Sequence, residues 1–334
     1  VSLRFIKIES NTSHNKIILE SKEYKQFYKM KNKIIDPYLI SIMKEINLIK
    51  HIFTRYSKIE QKRKKIIHIT VSLNNKKDYK YVLYVSMFSL LYNCDKSKTF
   101  VIYHLLCSPD FEELSIDLFK PLLSHYSHNV EMIFYNMGNY FEKRKRNVYP
   151  PATFYRIFTP LFIDSDRIIH LDGDCIIFKD LYEMYNLDFN DNYILGFLDR
   201  ISNDVDYLGI KSNNYICAGV TLFNLKKIRE ENKTMELINM ANSDIKFPKH
   251  DQTIINYVLY PKIGRLPSKF GTWNFADKSD IEYYLSKLRT KIPIEELEEG
   301  IKNPAIVHSV LCYPKIWSVE TEYQLTIFLD NIKH

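Results

Sequence analysis

From Lys65 onward, short apolar runs alternate with stretches whose apolar positions recur every three or four residues. That pattern marks strands alternating with helices. Residues 66–73, 100–106 and 130–135 read as strands, and 79–92 and 111–125 as helices. Past Pro150-Pro151, residues 153–162 read as a helix and 167–171 as a central strand. Further strands are predicted at 193–198 and 218–223, and helices at 226–240 and 251–259. The alternation predicts an α/β fold with a parallel, twisted sheet covered on both faces by helices. Upstream, Leu39, Ile42, Met43, Ile46, Ile49, Phe53, Tyr56 and Ile59 fall at helical steps, which predicts an amphipathic helix over 39–59. It runs into the basic stretch Gln61-Lys-Arg-Lys-Lys65. Such a helix either packs on the main domain with a solvated charged end or lies on an anionic membrane surface.

The predicted central strand ends in Asp172-Gly-Asp174, with apolar runs on both sides. Two carboxylates this close repel each other and resist burial, so the fold must supply a compensating cation. A hard divalent ion, Mg²⁺ or Mn²⁺, is the simplest, and in enzymes such ions commonly share their coordination sphere with phosphate. In open α/β sheets ligands bind at the carboxyl ends of strands, which is where this pair falls.

Composition sets outer limits. The 334 residues are 46% apolar and 26% charged, with 8 Gly and 12 Pro, as in a folded chain without long low-complexity tracts. Five scattered cysteines, Cys94, Cys107, Cys175, Cys217 and Cys312, lack C-x-x-C spacing and argue for reduced thiols in a cytoplasmic setting. No apolar run reaches the ~20 residues that a spanning helix needs. The first residue is Val1, so an upstream signal or anchor stays open. The net charge of +7 is uneven: residues 1–66 hold 16 Lys and Arg against 6 Asp and Glu, and the remainder holds 31 against 34. That distribution weighs against nucleic acid as a partner and is compatible with peripheral contact at a membrane surface through the N-terminal region. It also suggests a division into a basic, largely helical extension, residues 1–64, and a main domain, residues 65–334.

Five segments stand in order around the aspartate pair. They are Ile67-His-Ile-Thr-Val-Ser-Leu-Asn-Asn with Asp78-Tyr79, then Ala152-Thr-Phe-Tyr-Arg156, then Arg167-Ile-Ile-His-Leu-Asp-Gly-Asp-Cys-Ile-Ile-Phe. Tyr215-Ile-Cys-Ala-Gly-Val-Thr-Leu-Phe-Asn-Leu225 with His250-Asp-Gln-Thr comes fourth, and Ile306-Val-His308 with Lys315-Ile-Trp317 fifth. In this order they resemble the family 8 glycosyltransferases, retaining enzymes that include glycogenin and the glucosyl- and galactosyltransferases of the lipopolysaccharide core. The similarity covers residues 65–318. It implies a Rossmann-like, single-domain nucleotide-sugar transferase fold of the GT-A type, a UDP-hexose donor and Mn²⁺ (or Mg²⁺).

Residue by residue, the resemblance assigns the metal to Asp172, Asp174 and His308. It places Thr70, Asn74, Tyr79, Asp172, Cys217, Ala218, Gly219 and Lys315 around the nucleotide, with Tyr79 stacking on uracil. Arg156 would reach the donor near the aspartates, Asp199 and Asp251 would hold sugar hydroxyls, and Gln252 would face the anomeric carbon. Arg156 could equally serve as a structural ion pair, Tyr79 as a surface tyrosine and Asp251 as a helix N-cap. The sequence departs from the family at several points. Asn74 stands where an acidic residue is usual, Cys217 where many members have Asn, and Ile316 where Pro is usual; Lys315 follows His308 by seven residues rather than six. The Ile-Cys-Ala-Gly form is closer to the lipopolysaccharide branch and points to lipopolysaccharide or another surface polysaccharide as acceptor, at the inner face of the membrane.

Two other readings remain open on the residues alone. A haloacid-dehalogenase-type phosphatase or phosphotransferase also carries Asp-x-Asp after an apolar strand, although Cys175 and Ile176 follow the pair here and it sits mid-chain. A non-catalytic protein that binds sugar nucleotides could keep the same residues.

Overall fold

The computed structural model describes residues 47–52, 65–74, 79–108, 113–137, 150–199, 209–210, 214–243, 245, 247–273 and 278–309. The strands among them are β1 (Asn47–Ile52), β2 (Lys65–Leu73), β3 (Thr99–Cys107), β4 (Val130–Asn136), β5 (Ile168–Leu171), β6 (Cys175–Ile177), β7 (Ile194–Leu198), β8 (Ile216–Phe223), β9 (Ile263–Arg265), β10 (Thr272–Trp273) and β11 (Ile306–His308). The helices are α1 (Tyr79–Asn93), α2 (Glu113–His125), α3 (Thr159–Phe162), α4 (Tyr182–Tyr185), α5 (Leu225–Glu230), α6 (Lys233–Asn242), α7 (His250–Leu259), α8 (Lys278–Leu288) and α9 (Ile294–Lys302), and a 3₁₀ segment spans Pro151–Phe158.

Eight strands form one sheet in the order β1-β4-β3-β2-β5-β8-β7-β9. The run from β4 to β5 is parallel, as the alternation predicts. Beyond it the sheet is mixed, because β8 lies antiparallel between β5 and β7. A second sheet, β10-β11-β6, was not legible in the sequence, and it positions half of the site. Its strands have only two or three residues, too few to show a period.

Alternation along the strands sends side chains to two cores. On one face Ile67, Ile69, Val71, Val101, Tyr103 and Leu105 pack with Leu83, Met87 and Leu91 of α1 and Phe119 of α2. On the other, Phe154, Phe158, Phe197 and Phe223 pack with residues of α5 to α9, including Ile255, Tyr284 and Leu297. The second face also carries a buried polar row, since Thr221, His170, Thr70 and His104 are register neighbours across β8, β5, β2 and β3.

Three expectations need correction. Residues 47–52 are a strand and not part of a helix: β1 pairs antiparallel with β4 at the sheet edge. The run Asn-Leu-Ile-Lys-His-Ile suits either structure locally, and the open edge of β4 supplies the ladder that decides it. The rest of the 39–59 prediction lies outside the described residues. The helix over 153–162 is a 3₁₀ stretch followed by one α turn, with Pro160 inside the first turn of the second piece, where its missing N–H is tolerated. The helix over 226–240 is two helices, broken at Asn232, which takes a left-handed φ of 58° that Asn adopts more readily than most residues.

Candidate active site

Asp172 and Asp174 follow β5 directly, and the turn between them is fixed from three sides. The Asp172 N–H donates to Gly219 O at 2.7 Å, the Gly173 N–H donates to the Tyr79 hydroxyl at 3.2 Å, and the Ser309 N–H donates to Asp174 O at 3.1 Å. The β8 side of this arrangement depends on a bulge. Ile216 and Cys217 pair with Leu198 and Phe197, but the next β8 residue paired to β7 is Thr221, opposite Gly196. Residues 218–220 are thereby freed from β7, and the backbone groups of Ala218 turn to the site. Ala218 O accepts from Arg156 Nη1 at 2.6 Å, and the Ala218 N–H donates to Gln252 Oε1 at 3.1 Å.

Arg156 is buried between two carboxylates. Its Nη2 donates to Asp172 Oδ1 at 2.7 Å and its Nε stands 3.0 Å from Asp251 Oδ2. Burial works against the charge on Arg156, but Asp172 and Asp251 outweigh it and keep the guanidinium protonated. In return, and against its own burial, Arg156 holds the Asp172 carboxyl well below the usual carboxylate range. Asp251 goes the other way: burial first, and then Asp172, push it up to about 6, although Arg156 opposes them. His170, buried and 3.4 Å from Asp172 Oδ1, is lowered to about 4 by burial and then by Arg156, and so stays neutral.

The small sheet delivers the imidazole. His308 of β11 lies opposite Cys175 of β6, which brings its Nε2 to 3.1 Å from Asp174 Oδ1 and 3.5 Å from Asp172 Oδ2. Donor atoms about 3 Å apart suit neighbouring ligands around a small divalent ion bound at about 2.1 Å. Burial disfavours a protonated His308, yet the acidic side chains around it, Asp174 and Asp172, hold its pKa well above the ordinary value, so the carboxylates draw a positive charge to this point. Cys175 also approaches Asp174 and His308 within 4.8 Å, which opens a sulfur-containing ligand set. Burial pushes its thiol pKa up, so it stays a neutral thiol and the O/O/N set of Asp172, Asp174 and His308 fits Mn²⁺ or Mg²⁺ better than a soft-metal site.

Gly219 is needed for this convergence. A Cβ there would lie 2.1 Å from His308 Cε1 and 2.7 Å from Asp172 Oδ2. Gly219→Ala should therefore displace the imidazole, with a loss of about 1–3 kcal/mol in stability and roughly a hundredfold in activity. Thermal melting measures the first effect and turnover of the nucleotide-sugar donor that the sequence resemblance implies measures the second; a wild-type rate in the variant would remove the imidazole from the site.

A second constellation adjoins the first. Gln252 Nε2 donates to Asp199 Oδ2 at 2.8 Å, and Lys249 Nζ to Asp199 Oδ1 at 2.8 Å. Because the Ala218 N–H can only donate, Gln252 Oε1 must face it, and the amide nitrogen is the atom turned toward Asp199. Asn256, one turn on in α7, locks this edge by accepting from Ile216 N and donating to Ile216 O, both at 2.8 Å. His250, at the start of α7, takes a positive φ of 45° between Lys249 and Asp251.

The sequence-derived residues thus divide into groups. Arg156, Asp172, Asp174, Asp251, Gln252, Asp199, Ala218, Gly219 and His308 come together. Tyr79 sits with its ring against Gly173. Cys217 is buried in β8 just before the bulge, and Asn74 is half-buried at the end of β2. Thr70 lies deeper, fully buried in the polar row beside His170. Lys315 lies outside the described residues. Sequence reasoning missed His170 and Lys249. His170 stands two positions before Asp172, on the same face of the extended chain, and that spacing was the available signal. Lys249 precedes the His-Asp-Gln block and had none.

Comparison with known proteins places the chain among glycosyltransferases. The chain is 27% identical over 157 residues to glycosyltransferase GlyB of Streptococcus pneumoniae serotype 4, a match that covers 47% of this chain and 36% of GlyB. It is 22% identical over 238 residues to lipopolysaccharide 1,2-glucosyltransferase of Escherichia coli, covering 66% of this chain and 67% of that protein. Thus the chain spans little more than a third of GlyB's length. In structure it resembles galactosyltransferase LgtC, solved with donor and acceptor sugar analogues, at a TM-score of 0.62 and 19% identity over 79% of this chain and 95% of LgtC. The likeness places the fold among GT-A glycosyltransferases and replaces the haloacid-dehalogenase reading. Residues 70–317 match the family model for glycosyl transferase family 8, and the chain belongs to that family.

Proposed function

We propose that the chain is a retaining hexosyltransferase that moves glucose or galactose from a UDP-sugar to a glycan acceptor, lipopolysaccharide or another surface polysaccharide. The observation that carries this reading is the approach of Asp172 and Asp174 carboxylate oxygens to His308 Nε2 at 3.5 and 3.1 Å, at the carboxyl end of a central strand. Asp172, Asp174 and His308 would hold Mn²⁺ or Mg²⁺, which when bound supplies Lewis-acid stabilisation of a departing diphosphate. Lys315 would add positive charge near the same group.

The protein's own groups do the rest. Arg156 fixes Asp172 and Asp251 relative to each other, so neither carboxylate must reorganise when the donor arrives. Asp199 and Asp251 are acceptors suited to sugar hydroxyls. Gln252 has its oxygen committed to the Ala218 N–H and presents an amide nitrogen, a donor and not a nucleophile. Retention then follows front-face attack by the acceptor hydroxyl, whose proton passes to a diphosphate oxygen leaving on the same face. Tyr79, against the Asp172-Gly173-Asp174 turn, would meet the nucleotide. The acceptor assignment rests on the Ile-Cys-Ala-Gly form of β8 and on the similarity to a lipopolysaccharide glucosyltransferase.

The test is release of UDP from a panel of UDP-sugars with Mn²⁺ and no acceptor. Slow, chelator-sensitive release from UDP-glucose or UDP-galactose is expected. Binding of UDP without hydrolysis of any hexose donor would identify a non-catalytic binding protein instead.

A further inference from the structure

Strand β5 is four residues long and fully buried, and His170 is its one polar residue. An imidazole in such a place costs free energy unless hydrogen bonds compensate it. Asp172 supplies one. The two residues lie two positions apart on an extended chain, so their side chains project to the same face, and His170 Nε2 reaches Asp172 Oδ1 at 3.4 Å. A carboxylate oxygen only accepts, so the proton of this contact is on Nε2.

The same oxygen accepts from Arg156 Nη2 at 2.7 Å, on the 3₁₀ segment. Two donors thus occupy both lone-pair directions of Oδ1. One bond would leave the carboxylate free to turn about it, whereas two fix its plane. Oδ2 is then the oxygen that faces His308, whose Nε2 stands 3.5 Å away. Asp172 sits at the boundary between interior and site: its side chain is 29% exposed, against 0% for His170.

The other ring nitrogen of His170, Nδ1, is fully buried and finds no hydrogen-bond partner among the described residues. Thr70 and Thr221 flank His170 in register, on β2 and β8, and their hydroxyls are likewise buried and unpaired. Adjacent strands stand about 4.8 Å apart, a spacing that a turn of either hydroxyl or one shared water closes. By accepting such a bond Nδ1 keeps the ring proton on Nε2. We propose that His170 is a positioning residue for the metal site: with Arg156 it holds Asp172 Oδ1 inward, so that the carboxylate meets the ion through Oδ2 alone, and Thr70 and Thr221 fix its tautomer. The proposal rests on the metal reading of Asp172, Asp174 and His308 given above. Outer-shell partners of a ligating carboxylate carry about ten- to a hundredfold of the metal affinity.

Titration of Mn²⁺ into the metal-free chain, read by loss of the free-ion electron paramagnetic resonance signal, tests this without turnover. His170→Leu keeps an apolar filling but loses the donor, and should bind Mn²⁺ about ten- to a hundredfold more weakly. His170→Gln returns an amide N–H close to the place of Nε2 and should restore most of the affinity. In the metal-free wild type the imidazole nitrogen shifts of His170, assigned by their loss in His170→Gln, should report the Nε2–H tautomer. Thr70→Val/Thr221→Val should move those shifts toward a mixture of tautomers. Wild-type affinity in His170→Leu, a His170→Gln variant as weak as His170→Leu, a proton on Nδ1, or unmoved shifts in the double threonine variant would each overturn the proposal. A wild type that binds no Mn²⁺ would instead end the metal reading, and the nitrogen shifts would then decide the His170 contact by themselves.

Discussion

Asp174→Asn should lower acceptor-independent hydrolysis of the UDP-sugar by at least about a hundredfold, since loss of even an outer-shell partner of a catalytic metal costs ten- to a hundredfold. The backbone contact of Asp174 is unaffected, because its carbonyl and not its side chain accepts from Ser309 N. The fold should therefore persist. A direct readout of the metal separates this outcome from misfolding. Mn²⁺ at a hundred times its dissociation constant should stabilise the wild type by about 2.7 kcal/mol, and the shift in melting temperature should vanish in the variant while its metal-free melt remains a single cooperative transition. Full activity or an undiminished Mn²⁺ shift in Asp174→Asn would remove the carboxylate from the metal site and, with it, the reason for the proposed chemistry.

The sequence disclosed this site unevenly, for physical reasons. Asp172 and Asp174 were legible because carboxylates after a buried strand are rare without a cation. The parallel strands from β2 to β5 were legible because each is predominantly apolar and separated from the next by helical pattern. His308 could be named only by resemblance: it reaches Asp174 through β6, β10 and β11, whose two- and three-residue strands leave no periodic trace. The bulge at residues 218–220 was equally hidden. An unbroken apolar run such as β8 looks the same with or without a change of register, yet it is this change that turns the Ala218 backbone to Arg156 and Gln252. The misread helix at 47–52 shows the converse, a local pattern overruled by an available sheet edge.

Arg156→Met should be the most damaging single change to both stability and activity. The side chain donates to Thr153 O, Ala218 O and Asp172, and pairs with Asp251, all in the interior. Removing one partner of a buried ion pair costs about 3–5 kcal/mol, because the other charge is left without compensation. Here two carboxylates are left. Arg156→Lys should rescue little, since a single ammonium cannot reproduce a planar fork with several directed donors. Acidity distinguishes lost pairing from lost packing. Asp172 has a folded pKa below its ordinary value of 3.8, so its contribution is complete above that value and is lost as pH falls through the folded one. Asp251 has a folded pKa raised to about 6, so its ionisation costs stability as pH rises through that point, and acid relieves the cost. In metal-free protein the gap between wild type and Arg156→Met should therefore be widest near neutral pH. It should narrow as Asp251 and then Asp172 take up protons. Urea unfolding in chelator at about pH 7 and about pH 4 reads this difference directly. A gap of the same size at both would mean that Arg156 acts through the packing of its stem, and that the two carboxylates are held in place by something other than its charge.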